Sequence, residues 1–179
     1  MTTERTSQRR KTDAIEEKRA RLLRLYHKYP ENTRLLQALR DTLRPSEVRR
    51  AAQRGVFMSY NRNNELFTLD IALKLKAVNV PVWMDALDIN EDDDWRESIT
   101  DALHACGVMI LVLSPEAMRD AHVKDEYQRF AATGKIVVPV QYQRCNYDVL
   151  MLPAPPIDFS ADPQKGETTI MRLFGQRTD

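Results

Sequence analysis

GVMILVLSP, residues 107–115, runs through six large apolar side chains from Val108 to Leu113 and stops at Ser114-Pro115. A run this short with no polar alternation reads as a strand covered on both faces. Ser114 as N-cap and Pro115 at the first helical position predict a helical stretch reaching about Ala132. Gly134 ends it, and KIVVPV (135–140) reads as the next strand, PIDF (156–159) as an edge strand and Thr168–Phe174 as a last short helix. Upstream, Asp94 with Glu97 three residues on forms a capping box for a helix with Trp95, Ile99, Ala102 and Leu103 inward. An acidic loop, Asp85–Asp94, precedes it, and VPVWM (80–84) reads as a strand. Asn63 or Asn64 caps a helix to about Lys76 with Leu66, Leu69, Leu73 and Ala77 on one face, and GVFMSY (55–60) is the first strand of the series. Strands alternating with helices predict a doubly wound parallel sheet of five strands.

Before Gly55 the pattern is different. Ile15, Leu22, Leu25, Tyr26 and Tyr29 recur at helical spacing over residues 13–29, and Pro30 stops that helix. Asn32 or Thr33 caps a second helix with Leu35, Leu36, Leu39 and Leu43, which Pro45 ends; Ser46 opens a short third one, closed by Gly55. Charge divides at the same place. Residues 1–54 carry 15 Lys/Arg against 7 Asp/Glu, a net of +8, and residues 55–179 carry 12 against 19, a net of −7, within a 179-residue chain of formal charge +1. The split predicts two parts, a basic helical module (1–54) for assembly or partner docking and an α/β domain (55–179). The basic charge reads as a solvated face, as a self-association element or, last, as a nucleic-acid contact. No aromatic residues interleave the Arg/Lys run of residues 9–24, so nucleic acid is the least supported partner.

Apolar residues at 42% and charged residues at 30% are those of an ordinary globular chain. Two cysteines, Cys106 and Cys145, suit a reducing compartment and do not make a four-cysteine zinc site. No apolar run approaches the roughly 18 residues of a membrane span, and MTTERTSQRRKTD has no secretory apolar core, so a cytoplasmic protein without a membrane partner is expected.

In a doubly wound sheet, ligands sit outside the carboxyl ends of the strands. Here that edge comprises Ser59–Asn64, Asp85–Asp94, Ser114–Glu126 and Gln141–Tyr147. The turn SYNRNN lacks the GxGxxG of a dinucleotide fold, and there is no P-loop. A calcium loop begun at Asp88 would need glycine where Asp93 stands and a bidentate Glu where Ile99 stands. GxSxG is missing around Ser114, and only His27, His104 and His122 are present, so neither a nucleophile triad nor a metal centre is expected. One acid stands out. Glu126 follows His122 by one helical turn, beside an apolar stripe of Val123, Tyr127 and Phe130, where a carboxylate would be partly desolvated. The plainer alternative is a surface Glu paired with Arg119 or Lys124.

FMSYNRNN (57–64), VWMD (82–85), WRESITDAL (95–103), LVLSP (111–115), HVKDE (122–126) and KIVVPV (135–140), in this order and spacing, resemble the motifs of TIR (Toll/interleukin-1 receptor) domains, including the bacterial-type NADases. The resemblance covers about residues 55–175 and implies a flavodoxin-like sheet. It also implies one of two functions: assembly through TIR–TIR contacts, or cleavage of NAD+ at the nicotinamide–ribose bond to give nicotinamide with ADP-ribose or a cyclic isomer. The enzymes of this family use the glutamate of a W-x-x-x-E segment, which corresponds to Glu126. NAD+ is then substrate, with no further cofactor and no metal. The same resemblance places Tyr60, Arg62, Asp85, Ser114 and His122 as substrate-binding candidates, with Arg62 meeting a phosphate. Two departures stand out. His122 occupies the tryptophan position, leaving Trp83 or Trp95 to supply a stacking surface, and the loop after the second strand lacks its usual Pro-Gly. That loop commonly mediates self-association, and its acidic form, residues 85–94, calls for a basic partner surface. The expected function is an assembly-dependent NAD+ glycohydrolase of defence or cell-death signalling, antiphage in bacteria, answering to an upstream sensor. The runner-up is a non-catalytic TIR scaffold; hydrolysis of another base–ribose substrate is a third reading.

Overall fold

The computed structural model of the chain describes residues 14, 17–26, 28–29, 32–40, 42–89 and 94–175. It divides into two compact units, one of residues 1–43 with 153–155 and one of residues 44–152 with 156–179. In the first unit residues 17–26 are helical, and the ends of the helix expected over 13–29 fall largely outside the described residues. Helix α1 (Thr33–Arg40) follows. Asn32 caps it as expected, its Oδ1 accepting from the backbone N–H of Arg34 (3.1 Å) and Leu35 (3.2 Å).

The second unit contains helix α2 (Pro45–Ala52) and then the alternating series. Strand β1 (Val56–Ser59) is followed by a 3₁₀ turn (Arg62–Asn64) and helix α3 (Glu65–Ala77). Strand β2 (Val82–Trp83), a helical turn α4 (Asp85–Asp88) and helix α5 (Trp95–Ala105) come next. Strand β3 (Val108–Leu113), helix α6 (Ala121–Ala131), strand β4 (Ile136–Gln141), strand β5 (Ile157–Asp158) and helix α7 (Pro163–Phe174) complete it. All five strands are parallel in the order β2-β1-β3-β4-β5, the flavodoxin-like order. β3 lies at the centre and is buried along its whole length. The edges are short: β2 and β5 have two residues each.

Period-2 alternation sends successive strand residues to opposite faces. Val56, Met58, Ile110, Val112, Val138 and Val140 face one core with α2, α3 and α7. Phe57, Met109, Leu111, Leu113 and Val137 face the other with α5 and α6. Helix α2, grouped with the basic module on sequence grounds, is thus part of the sheet's covering. Val48 and Ala52 are buried in the first core, and Arg49 donates to the carbonyls of Arg172 (3.3 Å) and Gly175 (3.4 Å). Its last turn lies directly on Gly107, where an added Cβ would stand 2.2 Å from the Ala51 carbonyl oxygen.

Three local expectations are corrected. The buried face of α3 is Thr68, Ile71, Ala72 and Leu75, whereas Leu66 is 82% and Leu73 54% exposed. ELFTLDIALKLKA is apolar nearly all round, so its periodicity allows two phases, and the one with small Thr68 and Ala72 lets the helix approach the sheet closely. Ser114 does not cap a helix. Its Oγ accepts from the backbone N–H of Ala117 (3.0 Å) in a turn over residues 115–119, and Asp120 caps α6 instead, accepting from His122 N–H (2.8 Å). The acidic segment begins as the helical turn α4, and its residues 90–93 lie outside the described residues.

Candidate functional site

The site is built where β1 ends beneath the first turns of α5 and α6. Ser59, the last residue of β1, shares the face of Phe57 and points toward α6. Its hydroxyl donates to Glu126 Oε2 at 2.6 Å. Val123, Tyr127 and Phe130 seat α6 on the sheet, and this phase turns Glu126 toward the strand end. Glu126 therefore has Ser59 as its partner, and neither Arg119 nor Lys124 takes that place. The register of α6 is fixed from its start: Asp120 caps the helix through one carboxylate oxygen and accepts from Asn61 Nδ2 (2.8 Å) through the other. The β1 loop and α6 are thereby tied six residues before Glu126.

Electrostatics single this carboxyl out. Burial pushes Glu126 up to about 7, the Ser59 hydrogen bond lowers it, and the negative charges of Asp85, Asp120 and Asp125 raise it further. Tyr60 is nearly buried and donates its phenolic O–H to Asp85 Oδ1. Burial, followed by that bond and the Asp85 charge, pushes the phenol far above its ordinary value, so it stays a donor. Glu126 opens into a cleft of about 360 Å³ that it lines with Trp95, Arg96, Ile99, Thr100, His122, Asp125 and Arg129. This lies within the size range of small-molecule sites. The lining carries two carboxylates, Asp125 and Glu126, and two guanidinium groups, Arg96 and Arg129; the partly buried Glu126 carboxylate is the group able to stabilise a developing positive charge.

The structure brings together some of the residues singled out by sequence and separates others. Glu126 and His122 line the cleft. Tyr60 and Asp85 are joined to each other beside it, Asp85 contributing through its charge. Arg62 is exposed in the 3₁₀ turn and does not line the cleft. Ser114 is fully buried and donates to Asn64 Oδ1 (2.7 Å), so its role is to pin α3 to the end of β3. Of the two tryptophans, Trp83 stacks on Phe57, with ring centroids 4.8 Å apart. Trp95 stands in the cleft, edge-to-face with His122 at 5.4 Å and 87°. Sequence reasoning put Ser59, Asn61 and Asp120 within the ligand edge but gave none of them a role. A lone hydroxyl at the end of an apolar strand was the available signal for the first; the other two are long-range ties with no local signature.

A sequence profile described as TIR domain matches residues 56–174. Among solved structures, the TIR domain of the Toll-related receptor TRR-2 from the lower metazoan Hydra magnipapillata is similar with a TM-score of 0.52. The match has 18% sequence identity, across 61% of this chain and 86% of that one. No curated protein sequence matches.

Proposed function

We propose, on the premise that the chain belongs to the TIR domain family over residues 56–174, that it is a hydrolase cleaving NAD+ at the nicotinamide–ribose bond, with Glu126 as the catalytic carboxylate. The observation that carries this reading is the Glu126 carboxyl itself. It is partly buried, bonded to Ser59 at 2.6 Å and open to a ligand-sized cleft. A carboxylate held only for stability would instead be solvated or paired with a cation.

The chemistry asks little else of the protein. Nicotinamide in NAD+ carries a positive ring nitrogen, so when the C1′–N bond breaks its electron pair neutralises the leaving group and no general acid is required. Charge moves onto the ribose as an oxocarbenium ion, as in glycoside cleavage. Ionised Glu126 stabilises that cation and accepts a hydrogen bond from a ribose hydroxyl. Water then attacks C1′ and releases its proton, giving ADP-ribose; attack by the adenine of the same molecule gives a cyclic isomer. Tyr60 and Asp85 hold the neighbouring loop, and the Trp95–His122 pair offers the aromatic wall that the family draws from the position of His122.

Activity is expected to depend on assembly through TIR–TIR contacts and residues 85–94, in a cytoplasmic defence or cell-death pathway headed by a sensor. No helix among the described residues is long and apolar enough to cross a membrane. The scaffold reading draws on two features, the histidine at position 122 and the glycine-free loop after β2. Nicotinamide release from NAD+, measured for wild type and Glu126→Ala, each dilute and clustered on a surface, decides between them. Release that requires Glu126 and clustering supports the enzyme. A folded, self-associating protein that releases none in either state is a scaffold.

A further inference from the structure

The cleft continues beyond the carboxylate. Helices α5 and α6 both descend from the ligand edge, so positions along them are depths in one groove. Trp95 and His122 form its mouth, Glu126 the next level, and Thr100 and Arg129 its lower end, where Arg129 donates to Thr100 Oγ1 at 3.1 Å. Two guanidinium groups line the same groove, Arg96 from α5 and Arg129 from α6. Arg129 also meets Asp125, Nη1 to Oδ2 at 3.6 Å, an exposed pair of little strength that a stronger anion can displace. Arg96 is exposed, and no ion pair of its side chain appears among the described residues. A third feature is a donor without an acceptor: Trp95 Nε1–H is buried and unpartnered among the described residues. An unmet buried donor is costly unless a ligand completes it.

Resting on the reading of Glu126 given above, we propose that the α5–α6 groove is the diphosphate subsite of the dinucleotide. In it Arg96 and Arg129 hold the phosphate oxygens, and the Trp95 indole N–H donates to a ligand oxygen. The Glu126 carboxylate takes the cationic nicotinamide riboside half, and Arg96 and Arg129, which flank it from the two helices, take the anionic half. Guanidinium forks match phosphate oxygens bidentately, and among the described residues Arg96 has no ion-pair partner to give up. Arg62, the candidate suggested by the family pattern, lies outside the groove and has no part in this subsite.

The test compares NAD+ with nicotinamide riboside, which has the same scissile bond and no phosphate. With clustered full-length protein, Arg96→Gln is expected to raise KM for NAD+ about ten- to a hundredfold, the value of one charge-assisted hydrogen bond or a bidentate pair. The loss with nicotinamide riboside should be at least tenfold smaller, and Arg96→Lys should recover part of the effect. Equal losses with both substrates, or none with either, overturn the subsite. A second readout needs no turnover: calorimetric binding of ADP to Glu126→Gln protein, with and without Arg96→Gln and Arg129→Gln. Binding weakened by each arginine change supports the groove even where wild type releases no nicotinamide, an outcome that would fault the reaction alone. ADP binding that is absent, or indifferent to both arginines, overturns the proposal.

Discussion

Glu126 is the residue whose environment makes the sharpest demands. Its carboxyl binds a proton more tightly folded than unfolded, with a folded value of about 7 against an ordinary 4.5. Between those values the folded state holds more protons, so the charge costs stability as pH rises through the window, and the cost is complete above it. Glu126→Gln should therefore abolish nicotinamide release while stabilising the fold. The gain is near zero at about pH 4, grows through the window, and reaches about 1–3 kcal/mol above about pH 8, read from Tm in a pH series. Ser59→Ala removes the bond that favours the ionised form. The midpoint of the kcat/KM profile, which should rise with pH through about 7 as Glu126 ionises, then moves to higher pH by about one unit. An unchanged midpoint would mean that Ser59 does not tune the carboxylate. Helical spacing set Glu126 beside Val123, Tyr127 and Phe130 but read equally as a surface glutamate, and the resemblance to the W-x-x-x-E segment is what singled it out. Ser59 was not legible, because a hydrogen bond between residues 67 apart in the chain has no local pattern.

Elements repeat the same division. The strands were legible to within two residues because continuous apolar runs between turn residues have few alternative readings: KIVVPV became Ile136–Gln141 and GVMILVL became Val108–Leu113. Helix α3 was not, since two apolar stripes compete on one helix and only packing chooses. Its phase gives a direct check. Leu73→Ser should change stability by less than about 0.5 kcal/mol, whereas Leu75→Ala, fully buried, should cost about 2–5 kcal/mol in a denaturant titration. Helix α2 supplies another. Gly107→Ala would drive a methyl into the Ala51 carbonyl and should lower Tm far more than Gly134→Ala, where nothing stands within 4 Å and only the positive φ of 71° resists, at about 1 kcal/mol. Comparable losses at the two glycines would mean that α2 does not seat on the sheet.

For the whole molecule, charge is the property read most directly from sequence. A basic segment of net +8 and an acidic remainder of net −7 give each copy the means to attract another. Self-association measured by sedimentation should weaken between about 50 and about 500 mM salt, as the Debye length shortens severalfold. Assembly indifferent to salt would exclude a charge-driven contact. The boundary of the folding unit was less legible. The family match begins at residue 56, yet Val48 and Ala52 lie in the first core. Composition marks where charge changes sign, but it does not mark which helix an apolar core recruits.

The two-residue edge strands bear on how copies of this chain can join. β2 and β5 each offer a neighbour scarcely one ladder step of free backbone groups. Growth by adding strand to strand, the route to irreversible fibres, has almost no template here. Copies brought together must meet through side chains on helices and loops. Contacts of that kind are set by complementary side chains and not by a repeating backbone ladder, so their number and geometry are limited by the surfaces that match.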